Sequence, residues 1–221
     1  MLVFDLIVAI GATILLVMNT DDAGLGTIVD TLRLKAHLGD VSDKRGKIAR
    51  MINACELIQL RRGLYATRND IDPFCLAASI YGPSYISFET ALSFYGLIPE
   101  AVTEISSATL KRPKEFENAF GRYRYRSVPR GVYAFGIERI SDSSVPFLIA
   151  SPTKALCDRI ALEPRMRSMS DVRKWVTLMR LDSEVELDPA VLEDCAESYR
   201  RPAVRFLRRT VERYGGLPSY E

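Results

Sequence analysis

The stretch "ELIQLRRGLYA", Glu56–Ala66, decides how the first third of the chain is read. Two short apolar runs, Leu57–Leu60 and Leu64–Ala66, flank Arg61, Arg62 and Gly63, and the glycine can take the positive φ that a tight hairpin needs. Ahead of the hairpin, "SDKRGKIARMINACELI" reads as a helix with Ser42 or Asp43 as its N-cap. Ile48, Met51, Ile52 and Cys55 recur at helical spacing and form one apolar stripe. The opposite face carries Gly46, Arg50 and Asn53, flanked by Lys47, Ala49 and Ala54, and is small, polar and positive. Asp30–Leu38 reads as an earlier helix that ends at Gly39.

Two helices followed by a basic hairpin are the layout of a winged helix-turn-helix. A helix fits the major groove, where Arg and Asn side chains pair with the edges of guanine and adenine. Arg50 and Asn53 are the candidates for base contacts. Lys44, Arg45, Lys47, Arg61 and Arg62 are the candidates for phosphates or the groove edge. Small residues such as Gly46 and Ala49 would let the backbone approach closely. The plainer reading is a small helical domain whose basic residues are simply hydrated.

The net charge of +2 conceals strong segregation. Lys44–Arg68 holds seven basic residues against Glu56 alone, and Asp182–Glu197 holds seven acidic residues and no basic one. Hydrophobic content of 48% is enough for a buried core. The four cysteines, Cys55, Cys75, Cys157 and Cys195, are widely spaced among apolar neighbours. They read as packing thiols of a protein in the reducing cytoplasm. With no CxxC pair and a single histidine, His37, a zinc site is not expected, and no metal or cofactor is assigned. Histidine-based acid–base chemistry and triads lack material, and no phosphate-cradling glycine motif is present. "SDSS", Ser141–Ser144, lacks the glycine and paired aspartates of a nucleotidyltransferase. The expectation is a protein that is not an enzyme.

The first eighteen residues, with the apolar run "LVFDLIVAIGATILLVM", leave three readings open: a buried helix, a membrane-associated segment, or a start of translation at Met18. The run is shorter than the roughly 20 residues of a usual span and contains Asp5, so a membrane partner is not the favoured reading.

"RNDIDP", Arg68–Pro73, marks the expected boundary between a DNA-binding domain at 1–69 and a mixed α/β domain at 70–221, an α+β protein overall. "YGPSYISFETALSFYGLIPE" holds a helix capped by Ser87 and ended by Gly96. Val102–Leu110 reads as a strand. "GRYRYRSV" reads as a strand with an arginine face and a tyrosine face, the arginines taken as a hydrated exterior. Val132–Ile137 and Val145–Ile149 read as further strands. Ser151 caps a helix running through Leu162 with Pro152 at its first position. Three more helices follow: one from near Ser170, one from Asp188–Pro189 that turns Val191, Leu192, Cys195 and Tyr199 inward, and one from Pro202 to Tyr214. The last has Val204, Leu207, Val211 and Tyr214 as its apolar side. Its arginines, including Arg205, Arg208 and Arg209, are compatible with a hydrated face, a second DNA contact or a dock for an acidic protein.

"ELIQLRRGLYA", "PSYISFETALSFYGLIPE" and "IASPTKALCDRI", followed by an arginine-rich final helix, resemble the AbiEi antitoxins of type IV, abortive-infection toxin–antitoxin systems. Order and spacing agree over roughly residues 40–215. The resemblance implies a cytoplasmic antitoxin whose winged helix binds inverted repeats upstream of its own operon and represses it. It also implies a second domain that counteracts a nucleotidyltransferase-type toxin from the adjacent gene, without requiring a stable complex with it. The apolar amino terminus departs from the usual polar start of that family. The alternative is a stand-alone winged-helix regulator whose second domain senses a ligand, with Tyr81, Tyr85, Phe88, Phe94 and Tyr95 as either pocket lining or core.

Overall fold

The computed structural model describes residues 25–218 apart from 142 and 144. The apolar run at the amino terminus lies outside the described residues, and so does part of "SDSS". The chain is α+β, built on two sheets.

The first sheet has three strands, β1 (Ile28–Asp30), β2 (Ile58–Arg61) and β3 (Leu64–Ala66), in the order β1-β3-β2 with every pair antiparallel. Between β1 and β2 lie helices α1 (Thr31–His37) and α2 (Lys44–Asn53). Both start as a side-chain cap dictates: Asp30 accepts from the amide of Arg33, and Asp43 from that of Gly46, each at 2.8 Å. The strand at Ile28–Asp30 has no clear signal in the sequence, because three residues are too few for alternation to register.

Successive side chains of β3 point to opposite faces, and each face meets a different core. Tyr65 joins Leu25, Val29, Leu34, Ile48 and Leu57 under the two helices. Leu64 and Ala66, with Leu60 of β2, join the large core of the rest of the chain. The hairpin is therefore a wall shared by two cores.

The second sheet has six strands, ordered β6-β7-β5-β4-β9-β8: β4 (Ser84–Ile86), β5 (Glu104–Thr109), β6 (Lys114–Asn118), β7 (Gly121–Ser127), β8 (Ile137–Ile140) and β9 (Phe147–Ala150). β4 and β9 run parallel, as do β5 and β7, and the other neighbours are antiparallel. Helix α3 (Pro73–Tyr81) packs on the face bearing Tyr123 and Tyr125, whose hydroxyls donate to the carbonyls of Pro73 and Ala77. The face bearing Tyr85 meets α5 (Pro152–Ile160). Helices α4 (Phe88–Phe94), α6 (Met169–Leu178), α7 (Pro189–Ser198) and α8 (Pro202–Tyr214) complete the layer around α5.

At the centre, Lys154 and Asp158 of α5 form an ion pair one helical turn apart, both fully buried. The carboxylate is saturated from three directions. Tyr199 donates to Oδ1 at 2.5 Å, Tyr85 to Oδ2 at 2.9 Å and Ser87 to Oδ2 at 2.7 Å. The Lys154 ammonium also lies over the rings of Tyr199 and Tyr85, at 5.1 and 5.6 Å from their centroids. Satisfied in this way, a buried pair is tolerable; with one member removed it leaves an uncompensated charge.

Several expectations change. Ser87 sits at the N-cap of α4, but its hydroxyl makes no capping bond and serves Asp158 instead. Val132 lies in a 3₁₀ turn (Arg130–Val132) packed against α7, and the strand begins at Ile137, just after Gly136 takes φ +56°. Helix α2 stops at Asn53; Cys55 follows at φ +59° and is exposed, so it is not a packing thiol, unlike Cys75, Cys157 and Cys195. Tyr214 is half out of the core, with the guanidinium of Arg173 at 5.6 Å from its ring centroid. Of the middle aromatic residues, Tyr85 and Phe88 are core, with Tyr85 against Tyr133; Tyr81 and Tyr95 are half-buried, and Phe94, which meets Phe74 and Phe147, is exposed at 43%.

Replacing either Lys154 by Met or Asp158 by Ala is expected to cost about 3–5 kcal/mol of unfolding free energy. The paired change Lys154→Met, Asp158→Ala should cost less than the sum of the singles. Urea titrations measure both, and additive losses would contradict a coupled pair. Burial first, and then the Asp158 carboxylate, hold the Tyr85 and Tyr199 hydroxyls well above the ordinary phenol range. The stability contributed by these neutral phenols is complete below the unfolded-state pKa of about 10 and is lost as pH rises beyond it. Urea midpoints should fall above pH 10, with part of the tyrosinate absorbance, that of Tyr85 and Tyr199, appearing only as the protein unfolds.

Candidate nucleic-acid interface

Helix α2 presents its apolar stripe inward through Ile48, with Met51 and Ile52 half-buried beside it. Arg45, Ala49, Arg50 and Asn53 are exposed, while Lys44 and Lys47 are half-buried on the flanks. Arg50 turns back to the Gly46 carbonyl at 3.3 Å, within its own helix. None of Lys44, Arg45, Lys47 or Arg50 has a carboxylate within ion-pair distance among the described residues. The helix therefore offers four uncompensated cations. Gly46 has a local reason to be glycine: a Cβ there would lie 2.0 Å from the Asp43 carboxylate that caps the helix. Its smallness follows from capping before any question of approach to a ligand.

The hairpin turn is Arg62–Gly63, with Gly63 at φ +82°. The Gly63 carbonyl accepts from the amide of Thr31 at 3.0 Å, which ties the turn to the first residue of α1. The two arginines have different fates. Arg61 Nε donates to the carbonyl of Ile80 at 2.7 Å, in the last turn of α3, and its Nη1 donates to the Arg62 carbonyl at 3.1 Å. This guanidinium braces the hairpin against α3 and satisfies a helix-terminal carbonyl. Arg61, expected at the phosphates or groove edge, thus also serves as a brace. Arg62 is exposed, and its side chain has no partner among the described residues. Asn118 adds a second brace, donating from Nδ2 to the Leu60 carbonyl at 3.1 Å.

The β7 arginines are neutralised, whereas on α8 only Arg208 has a carboxylate within ion-pair distance among the described residues. On β7, Arg122 faces Glu117, Arg124 faces Glu104 and Glu115, and Arg126 faces Glu89. On α8, Arg208 is paired with Glu193 and lies 3.3 Å from Glu212. Arg208, expected on a second basic surface, is thus held by carboxylates of the protein itself. Arg205 and Arg209 are exposed, beside a shallow cleft of about 380 Å³ that Glu193 and Glu197 also line. Mixed charge makes that cleft a poor anion surface.

Lys111 and Arg112, in the connection between β5 and β6, and Lys114, the first residue of β6, are singled out by no sequence pattern above and are all exposed. Their signal in the sequence is a cluster of cations beside a proline, "LKRPKE". Among the described residues no group of histidine, cysteine and carboxylate side chains is placed to hold a metal, and no helix is long and apolar enough to cross a membrane.

No family model matches the chain, and no curated protein matches it as a relative.

Arg61→Ala is expected to lower the unfolding free energy by about 1 kcal/mol, because a hydrogen bond to a helix terminus is removed. Arg62→Ala should change it by less than about 0.5 kcal/mol. Equal urea midpoints for the two variants would contradict the brace.

Proposed function

We propose that this protein binds duplex DNA through a winged helix-turn-helix formed by β1, α1, α2, β2 and β3, with α2 entering the major groove and Arg62 at the tip of the wing. One observation carries the reading. On α2 and the hairpin the apolar sides are engaged in the two cores, while Lys44, Arg45, Lys47, Arg50 and Arg62 lack carboxylate partners among the described residues. Elsewhere, on β7 and at Arg208, cations are paired within the protein. Unpaired cations on a helix and an adjoining turn suit a polyanion, and the exposed Asn53 gives α2 a group able to read a base edge.

The sequence resemblance to AbiEi antitoxins extends this to autoregulation. The DNA site is then an inverted repeat upstream of the operon, and the part of the chain after the hairpin counteracts a nucleotidyltransferase-type toxin from the adjacent gene in the cytoplasm. The stand-alone ligand-sensing regulator gains no support from Tyr85 and Phe88, which are buried in the core.

Fluorescence anisotropy with a labelled duplex from the upstream region tests DNA binding. Arg62→Ala should weaken binding to every sequence and lower the log–log salt slope by about 0.9. Asn53→Ala should leave that slope unchanged and alter preference at one base pair by about 1–3 kcal/mol. No binding by the parent protein, or no effect of either change, would refute the reading. For the antitoxin role, full-length protein carrying Arg50→Ala and Arg62→Ala should still rescue cells expressing the adjacent gene. Growth arrest that persists even with the unaltered protein would refute that role and leave DNA binding untouched.

A further inference from the structure

We infer that the cleft beside Trp175, between α6 and the connection that leads into it, is a docking site for a polypeptide segment that carries one large apolar side chain flanked by carboxylates. The inference is independent of the DNA-binding reading and concerns a part of the chain that the reading does not use.

The cleft has a volume of about 230 Å³. Pockets that hold small-molecule ligands run from roughly 300 to 1,000 Å³, so this one suits a single large side chain better than a whole ligand. Met166 and Trp175, both buried, form its apolar wall, and Leu178, the last residue of α6, stands at its rim 80% exposed. Leu162, one residue before the lining residue Glu163, is exposed as well. Single exposed leucines are ordinary, but one beside a cleft walled by tryptophan and methionine has the composition of an interface anchor site. The wall is also fixed in place. The Arg159 guanidinium lies 5.9 Å from the Trp175 ring centroid and is itself held by Glu89 and Glu163, at 2.6 and 2.5 Å. Trp175 Nε1 is buried and finds no acceptor among the described residues, so this donor is unsatisfied in the free protein. A polypeptide seated in the cleft brings backbone carbonyls to the wall that contains it.

The charge of the rim selects an acidic partner. Two carboxylates line the cleft, and both are occupied. Glu163 is taken by Arg159, and Asp171 accepts from the Arg167 amide at 3.0 Å and the Ser168 hydroxyl at 2.9 Å. Arg165 and Lys174 line it too, both exposed, and neither has a carboxylate within ion-pair distance among the described residues. A neutral apolar segment would leave these two cations without a partner at the edge of a desolvated contact, whereas flanking carboxylates compensate them. Duplex DNA offers phosphates to the cations but, with its bases paired, no large apolar group to enter between Met166, Trp175 and Leu178. The occupant that fits both the wall and the rim is an acidic polypeptide segment with one apolar anchor.

Trp175 is the only tryptophan of the chain, so its emission reports on this cleft. A random peptide library displayed on phage is panned against the full chain and, in parallel, against full-length protein carrying Lys174→Ala and Leu178→Ala. Both of these side chains are exposed, so the variant should keep the melting temperature of the parent. Sequences enriched on the parent alone should hold one Phe or Leu among Asp and Glu. Synthesised without tryptophan, these peptides should shift the Trp175 emission and weaken as salt is raised. They should bind Leu178→Ala protein about tenfold more weakly. No enrichment on the parent over the variant overturns the docking site, and so does enrichment of sequences without acidic residues. A shift of Trp175 emission caused by duplex DNA overturns it in favour of a polyanion surface. The same shift on concentrating the protein alone overturns it in favour of contact between copies of this chain.

Discussion

The buried ion pair of Lys154 and Asp158 is the constraint around which the rest is arranged. A carboxylate and an ammonium without water are tolerable only if every strong acceptor site is filled, and here the donors come from separate parts of the chain. Tyr85 comes from β4, Ser87 from the entry to α4, and Tyr199 from the end of α7. Satisfying one carboxylate thereby fixes the sheet, α4, α5 and α7 relative to each other. A greasier core of similar volume would hold these elements as strongly, but it would not select this one arrangement of them so sharply. The residues that supply the pair and its donors fall in "SYISFE", "SPTKALCD" and "ESY", so the two most distinctive stretches of the sequence meet at this site.

The hairpin is the second point at which the structure is tied together. Because alternate residues of β3 enter different cores, the turn carrying Arg62 cannot shift without disturbing both. Arg61 and Asn118 reinforce this from outside through backbone carbonyls. A turn built in this way is preorganised for the DNA contact proposed above, which would limit the ordering entropy lost on binding. It also connects any event in the large core to the position of the turn. For the same reason, removing residues 1–69 would strip Leu60, Leu64 and Ala66 from the large core rather than release an intact second unit.

Much of this was legible in the sequence, and the failures have physical causes. Asp43, Ser151 and Asp188 cap helices where their spacing implied, because capping is local chemistry. The turn at Gly63 and the end of α8 at Gly215 follow from positive φ, which glycine alone adopts freely. The destination of a long side chain was not legible. Arg61 and Arg62 are indistinguishable as letters, yet one reaches a helix terminus and the other reaches solvent. Ser87 sits at a cap position and serves a carboxylate 71 residues away. The pairing of Arg208 with Glu193, and the distance of Lys111, Arg112 and Lys114 from any described carboxylate, depend on tertiary neighbours that no spacing rule records.

The central claim is that α2 and the hairpin turn together face duplex DNA. Backbone hydrogen exchange of the full chain, with and without saturating duplex, tests it most directly. The account expects slowed exchange across residues 44–53 and at 62–63, while α7 and α8 exchange as in the free protein. Slowed exchange confined to α7 and α8, or none anywhere despite demonstrated binding, would contradict it.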